Sequence, residues 1–183
     1  MVSLKTPICD FDFKAKDFSL IGIDDQIYTL NKVKGSKGTL VMFICNHCPY
    51  VKAIRRRLVQ DIINLQNLDI GIVAIMSNDP KENIEDSFEN MKIFSEKNKF
   101  TFPYLFDETQ AVAKAYGAIC TPDFFGFNAN LVLQYRGRFD ATGRDSPPDN
   151  TRRDLLEAMK QVAETGYGPS KQIPSIGCSI KWR

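Results

Sequence analysis

Two unbroken apolar runs, Thr39 to Ile44 and Ile70 to Met76, constrain this chain more than anything else in it. A strand with one wet face alternates apolar and polar side chains, so a run without alternation belongs in a sheet covered on both sides. Between the runs, Ile54, Leu58, Ile62 and Leu65 recur at three- and four-residue steps from Val51 to about Gln66, the stripe of a helix packed on a core. Strand, helix and strand in that order leave a crossover long enough for parallel pairing, which makes the chain α/β.

The flanking segments extend this pattern. Ahead of it, Phe18 to Leu20 and Ile27 to Leu30 read as a β-hairpin turning at Gly22 to Asp25, after a charged stretch carrying Phe11 and Phe13. Behind it, a break at Ser77 to Pro80 precedes a helix expected from about Glu82, with Ile84, Phe88, Met91 and Phe94 inward. A short strand at Phe102 to Phe106 follows, then a helix from Thr109 to Tyr116 stopped by Gly117. Strands at Asp123 to Phe127 and Leu131 to Tyr135 form a second hairpin. A last helix from about Thr151 carries Leu155, Met159 and Val162 and ends at Gly166, where glycine can take the left-handed cap. Residues 167–183 show no periodicity and read as a tail, although they contain Cys178 and the single tryptophan, Trp182.

Composition narrows the function classes. With 183 residues the expectation is one domain over 1–183, and 43% hydrophobic content suffices for its core. The 24 basic and 22 acidic residues nearly cancel, leaving +2, so no nucleic-acid partner is expected. No run approaches the roughly 18 apolar residues of a membrane helix, and the N-terminus lacks a secretory signal pattern, which together predict a cytoplasmic protein with no membrane partner. Nothing in the sequence sets an oligomeric state.

Five cysteines, at 9, 45, 48, 120 and 178, form no evenly spaced framework and point to thiol chemistry rather than structural staples. Cys45, Asn46, His47 and Cys48 make a Cys-x-x-Cys pair where the first buried strand gives way to the first long helix. Unpaired N–H groups and the positive end of the dipole at a helix start favour thiolate over thiol, so such a cysteine is reactive near neutral pH. The spacing is expected to put both sulfurs in the first turn, one to attack and one to close a disulfide. His47, the sole histidine, lies between them and, if protonated, stabilises the reduced pair. Its other reading is an exposed ring without a partner. A zinc site normally takes two further ligands from a second pair, which is missing, so no metal is expected; His47, Cys120 and Cys178 are the residues that could assist one. Lys52, Arg55, Arg56 and Arg57 make the helix basic on its outer side, a solvated face or an attraction for an acidic partner.

These features together resemble the thioredoxin-like superfamily, in its peroxiredoxin-like branch, alkyl hydroperoxide reductase/thiol-specific antioxidant. The resemblance runs over nearly the whole chain: Asp17 to Leu20 with Tyr28 to Leu30, the strand into Cys45 to Val51, Tyr116 to Phe125 with its Thr121-Pro122 pair, and Pro174 to Trp182. It implies a thioredoxin-like fold, a mixed central sheet flanked by helices with an N-terminal β-hairpin extension and a C-terminal tail. It also implies that Pro122 is cis and faces the sulfurs, with Thr121 offering backbone groups to a thiol substrate, and that Pro49 follows the second cysteine of the site. By thioredoxin analogy Cys45, as the more exposed cysteine, attacks and Cys48 resolves; by peroxiredoxin analogy Cys48 meets peroxide and Cys45 condenses with its sulfenic acid. Cys120 and Cys178 are candidate additional redox thiols. The sequence departs from thioredoxins in Ile44 and Asn46-His47, and from peroxiredoxins in having Cys45 at the usual Thr position and no arginine beside Thr121-Pro122. The expected function is thiol-dependent oxidoreduction, either antioxidant peroxide reduction or protein disulfide exchange, with electrons from a cellular thiol reductant and no cofactor. The alternative is a non-catalytic binding module on the same fold.

Overall fold

The computed structural model describes residues 3–145 and 151–183. In chain order the strands are β1 (Ser3–Lys5), β2 (Ser19–Gly22), β3 (Ile27–Thr29), β4 (Gly38–Phe43), β5 (Ile70–Met76), β6 (Tyr104–Phe106), β7 (Cys120–Thr121), β8 (Asp123–Asn128), β9 (Leu133–Tyr135) and β10 (Ile176–Ser179). The helices are α1 (Leu30–Val33), α2 (Pro49–Gln66), α3 (Phe88–Asn98), α4 (Ala111–Tyr116) and α5 (Asp154–Thr165). Seven strands form one sheet in the order β3-β2-β6-β5-β4-β8-β9, and β1-β10-β7 form a second, smaller one.

The two apolar runs lie at the centre of the larger sheet, β4 parallel to β5 and antiparallel to β8. Their side chains go alternately to two cores. Leu40 and Met42 meet α2, α3 and α5 on one face, while Val41 and Phe43 meet α1, α4 and the rings of Phe125 and Phe127 on the other. Ile54, Leu58, Ile62 and Leu65 of α2 are all essentially buried, and full burial of such side chains stabilises by roughly 1.5–3 kcal/mol each. At Gly71 the fit needs a missing side chain, since a Cβ there would stand 2.0 Å from the Val33 carbonyl oxygen of α1.

Several boundaries differ from the sequence expectation. The helix expected from Glu82 begins at Phe88, where the Ser87 side chain caps it by accepting from the Asn90 N–H. Residues Ile84–Asp86 instead form a separate 3-10 turn that leaves Ile84 72% exposed and turns Asp86 inward. Leu30 opens α1 rather than ending a strand, and β9 starts at Leu133 because the Asn128 side chain accepts from Asn130 and Val132 to make a turn there. The final helix starts at Asp154 rather than Thr151 and stops at Gly166, at φ 78°. The hairpin β2–β3 extends the large sheet through pairing of Ile21 with Phe106. The tail, read as aperiodic, contains β10, which is sandwiched between β1 and β7. None of the helices among the described residues is long and apolar enough to cross a membrane.

Candidate functional site

Register positions the site. Phe43 at the end of β4 pairs with Asp123 at the start of β8, so continuing both chains by two residues sets Cys45 across from Thr121. The Thr121–Pro122 peptide is cis. Cys45 Sγ is 3.2 Å from Thr121 Oγ1, and Cys48 Sγ is 3.1 Å from the Thr121 carbonyl oxygen. Cys48 is the N-cap of α2 with Pro49 at the first helical position, where a missing N–H costs nothing. Cys45, by contrast, precedes the helix, so the expectation of both sulfurs in its first turn holds for Cys48 alone. The expectation of a more exposed Cys45 also fails: both cysteines have no accessible surface, and β10, paired with β7, sets Cys178 against Cys48.

Cys178 of β10 pairs with Thr121 and brings its Sγ within 3.0 Å of Cys48 Sγ. Cys120, one residue before Thr121 on β7, is buried and donates to the Pro122 carbonyl oxygen at 3.9 Å. Cys9 lies apart, half-buried, with burial pushing its thiol up to about 11. All five cysteines are free thiols.

The three clustered thiols compete for one negative charge. Hydrogen bonds from the Cys178 and Cys45 thiols, helped by the backbone at Val51, hold Cys48 well below the usual thiol range, and the α2 N-terminus acts in the same direction. The Thr121 carbonyl is the acceptor that takes the Cys48 proton in the thiol form. Burial, its bond to Cys48 and the charge of Asp86 push Cys45 up, whereas Cys178 is raised first by its bond to Cys48 and then by burial. Burial likewise raises Cys120.

His47 has a partner, so the exposed-ring reading does not hold. Its Nδ1 is 2.5 Å from Asp86 Oδ2 and 3.7 Å from Cys45 Sγ, in a position 8% exposed. Asp86 is fully buried and accepts from the backbone N–H groups of Asn46 and His47 and from Asn78 Nδ2. Asn46 in turn donates to the Glu85 carbonyl and accepts from the Tyr104 hydroxyl. The cysteine loop is therefore tied to the 3-10 turn after β5 through a carboxylate that the sequence reading assigned to an ordinary helix. Nothing in its surroundings separates Asp86 from Glu82 or Glu85 until the chain is folded.

Cys45, His47 and Asp86 are also a potential metal-binding group, their ligand atoms lying within 4.8 Å of one another. Tetrahedral zinc with bonds near 2.0–2.1 Å separates its ligand atoms by about 3.3 Å, so the 2.5 Å His47–Asp86 contact has hydrogen-bond spacing instead. Of the basic residues on α2, Lys52 pairs with exposed Glu85 at 2.8 Å, but Arg57 turns inward to Asp140 at 2.8 Å. Among the described residues no arginine side chain bonds a site sulfur; Arg136 instead binds Asp123 at 2.9 Å and the Gly117 carbonyl. A cleft of about 110 Å³ opens beside Pro122, lined by Tyr50, Ile54, Phe139, Pro174 and Ile176.

Residues 12–139 match the AhpC/TSA family. The chain belongs to that family. AhpC/TSA membership sets it among thiol oxidoreductases in general, and its architecture is thioredoxin-like. A crystal structure of an uncharacterized conserved protein from Geobacillus kaustophilus is similar over 100% of this chain and 97% of its own, at 41% identity and a TM-score of 0.94. A hypothetical protein from Sinorhizobium meliloti 1021 is 36% identical, covering 98% and 97% of the two chains, with a TM-score of 0.89. More distantly, a secreted Mycobacterium tuberculosis disulfide oxidoreductase shares the fold at 18% identity and a TM-score of 0.59, over 80% of this chain and 95% of that one. No curated protein matches the chain at a significant level.

Proposed function

We propose that this AhpC/TSA protein reduces small hydroperoxides at Cys48, with Cys45 as the second thiol of a Cys45–Cys48 redox pair, and that the whole chain works as one unit in the reducing cytoplasm. The observation that carries the reading is the place of the Cys48 sulfur: at the N-cap of α2, 3.0 Å from Cys178 Sγ and 3.1 Å from the carbonyl of the cis Thr121–Pro122 peptide, surroundings that lower its thiol's pKa. Burial beneath β10 favours a small oxidant over a folded protein disulfide. The thiolate attacks one peroxide oxygen, the O–O bond breaks, and the departing alkoxide or hydroxide takes a proton from solvent and leaves as alcohol or water, giving a Cys48 sulfenic acid. Condensation with a thiol releases water and leaves a disulfide, which a cellular thiol reductant returns to two thiols. In this scheme His47, held by Asp86, orients the loop that carries Cys45, while Thr121 bonds both sulfurs.

Protein disulfide exchange is the second reading, favoured by the backbone of Thr121 beside the sulfurs, and it requires β10 to move aside. Peroxide consumption under a dithiol reductant tests the proposal. Wild type is expected to turn over, Cys48→Ser to lose turnover and Cys45→Ser to form sulfenic acid while failing to accumulate the Cys45–Cys48 disulfide. Turnover undiminished in Cys48→Ser overturns the assignment, and a wild type that neither consumes peroxide nor forms a disulfide favours a non-catalytic binding module.

A further inference from the structure

The C-terminal strand is held against the site more tightly than a loose tail requires. Cys178 pairs with Thr121 and Ser179 with Cys120, while β1 closes the opposite edge of β10. Gly177 has no room for a side chain, since a Cβ there would lie 2.2 Å from the Thr121 carbonyl oxygen. The strand is fixed at both ends: Ser175 Oγ donates to the Pro122 carbonyl at 3.0 Å, the Ile180 N–H to the Ile119 carbonyl at 3.0 Å, and the Lys181 N–H to Asn78 Oδ1 at 2.9 Å. The outcome is a Cys178 sulfur, 2% exposed, 3.0 Å from that of Cys48. A disulfide is about 2.0 Å long, so a further approach of roughly 1 Å joins them. Cys45 also bonds Cys48, but its sulfur is shared with Thr121 Oγ1 at 3.2 Å and His47 Nδ1 at 3.7 Å.

We infer that Cys178 is the thiol that first captures oxidised Cys48, so that the site works as a three-cysteine relay. The inference rests on the proposed reaction of Cys48 with hydroperoxide. After that reaction the Cys178 sulfur attacks the sulfur of the Cys48 sulfenic acid. The S–O bond breaks and the departing hydroxide takes the Cys178 proton, leaving water and a Cys48–Cys178 disulfide. Cys45 then attacks Cys48, the bond to Cys178 breaks, and the proton lost by Cys45 returns to the Cys178 sulfur, leaving a Cys45–Cys48 disulfide. Hydroperoxide is the only oxidant needed, and its two electrons come from two thiols. Strand β10 thereby occupies the backbone edge beside the cis-proline and supplies a reacting thiol there.

The test treats the full chain with one molar equivalent of hydrogen peroxide and maps cross-linked peptides by mass spectrometry after non-reducing digestion, alongside a sulfenic-acid trap. Cys45→Ser is expected to accumulate the Cys48–Cys178 link, because the second exchange is blocked. In Cys178→Ser, condensation should slow by about tenfold or more, with sulfenic and over-oxidised Cys48 building up, as expected when a held reactant is removed. Gly177→Ala keeps all three thiols but displaces β10, and should slow the Cys48–Cys178 link in the same sense. Persistent Cys48 sulfenic acid without that link in Cys45→Ser, or equal condensation rates in wild type and Cys178→Ser, overturns the relay alone. A Cys48 that stays reduced in every variant overturns both the relay and the peroxide reading.

Discussion

Replacing Asp86 with alanine removes the acceptor on which the cysteine loop is hung. Its carboxylate takes the Asn46 N–H at 2.8 Å, the His47 N–H at 3.2 Å and Asn78 Nδ2 at 2.8 Å, besides its contact with His47 Nδ1. All of this occurs where Asp86 itself has no accessible surface, so alanine leaves three N–H donors without their acceptor. At about 1–3 kcal/mol for each unsatisfied buried donor the loss amounts to roughly 3–9 kcal/mol, and water entering the vacated space recovers part of it. A loss of about 3 kcal/mol or more is therefore expected, a large share of the roughly 5–15 kcal/mol that stabilises an ordinary domain. Asp86→Asn retains an oxygen for the two backbone donors but turns an amide toward His47 or Asn78, so its expected cost is smaller, about 1–3 kcal/mol. Urea unfolding of the reduced proteins, read as a shift in midpoint at constant slope, measures both. An Asp86→Ala protein within about 1 kcal/mol of wild type refutes the claim that this carboxylate ties the loop down.

Asp61 is a second charged group with a readable signature. Burial raises its carboxyl to about 6 despite Arg153 at 2.7 Å, so the folded protein keeps a proton that the unfolded chain releases near pH 4. Stability should accordingly fall as pH rises from about 4 to 6, by roughly 2–3 kcal/mol from this group, and level off above that window. Asp123, also raised to about 6 by burial, acts in the same sense. Asp61→Asn should flatten part of the slope in denaturation measured across this range, and an unchanged slope contradicts the assignment. At the far edge of β5, Gly71→Ala sets a Cβ against the Val33 carbonyl, with an expected loss of about 1–3 kcal/mol by thermal or urea unfolding. A neutral effect there means that α1 can shift away freely.

The central architecture is legible because β4 and β5 are buried on both faces and their side chains are apolar almost throughout, and because the α2 stripe between them follows one helical face. The cysteines advertise themselves by residue type and by the strand-to-helix junction. The cis peptide before Pro122 follows from family resemblance, not from any local preference. Asp86 was invisible for a different reason: its role comes from three backbone and side-chain donors contributed by segments 8 to 40 residues away. Strand β10 was missed because it is only four residues long and carries Gly177 inside it, and its pairing partners, β1 and β7, are distant in sequence. Ile84 shows the converse error, an apolar residue at helical spacing that ends up facing solvent.

Shielding of Cys48 by Cys178 has a consequence for biosynthesis. The two residues are 130 positions apart, and at about 5–20 residues per second the ribosome needs roughly 7–26 s to pass from one to the other. A nascent chain therefore carries the future thiolate without its cover for many seconds. Oxidative stress during translation should mark Cys48 more readily than the same stress applied to the finished protein.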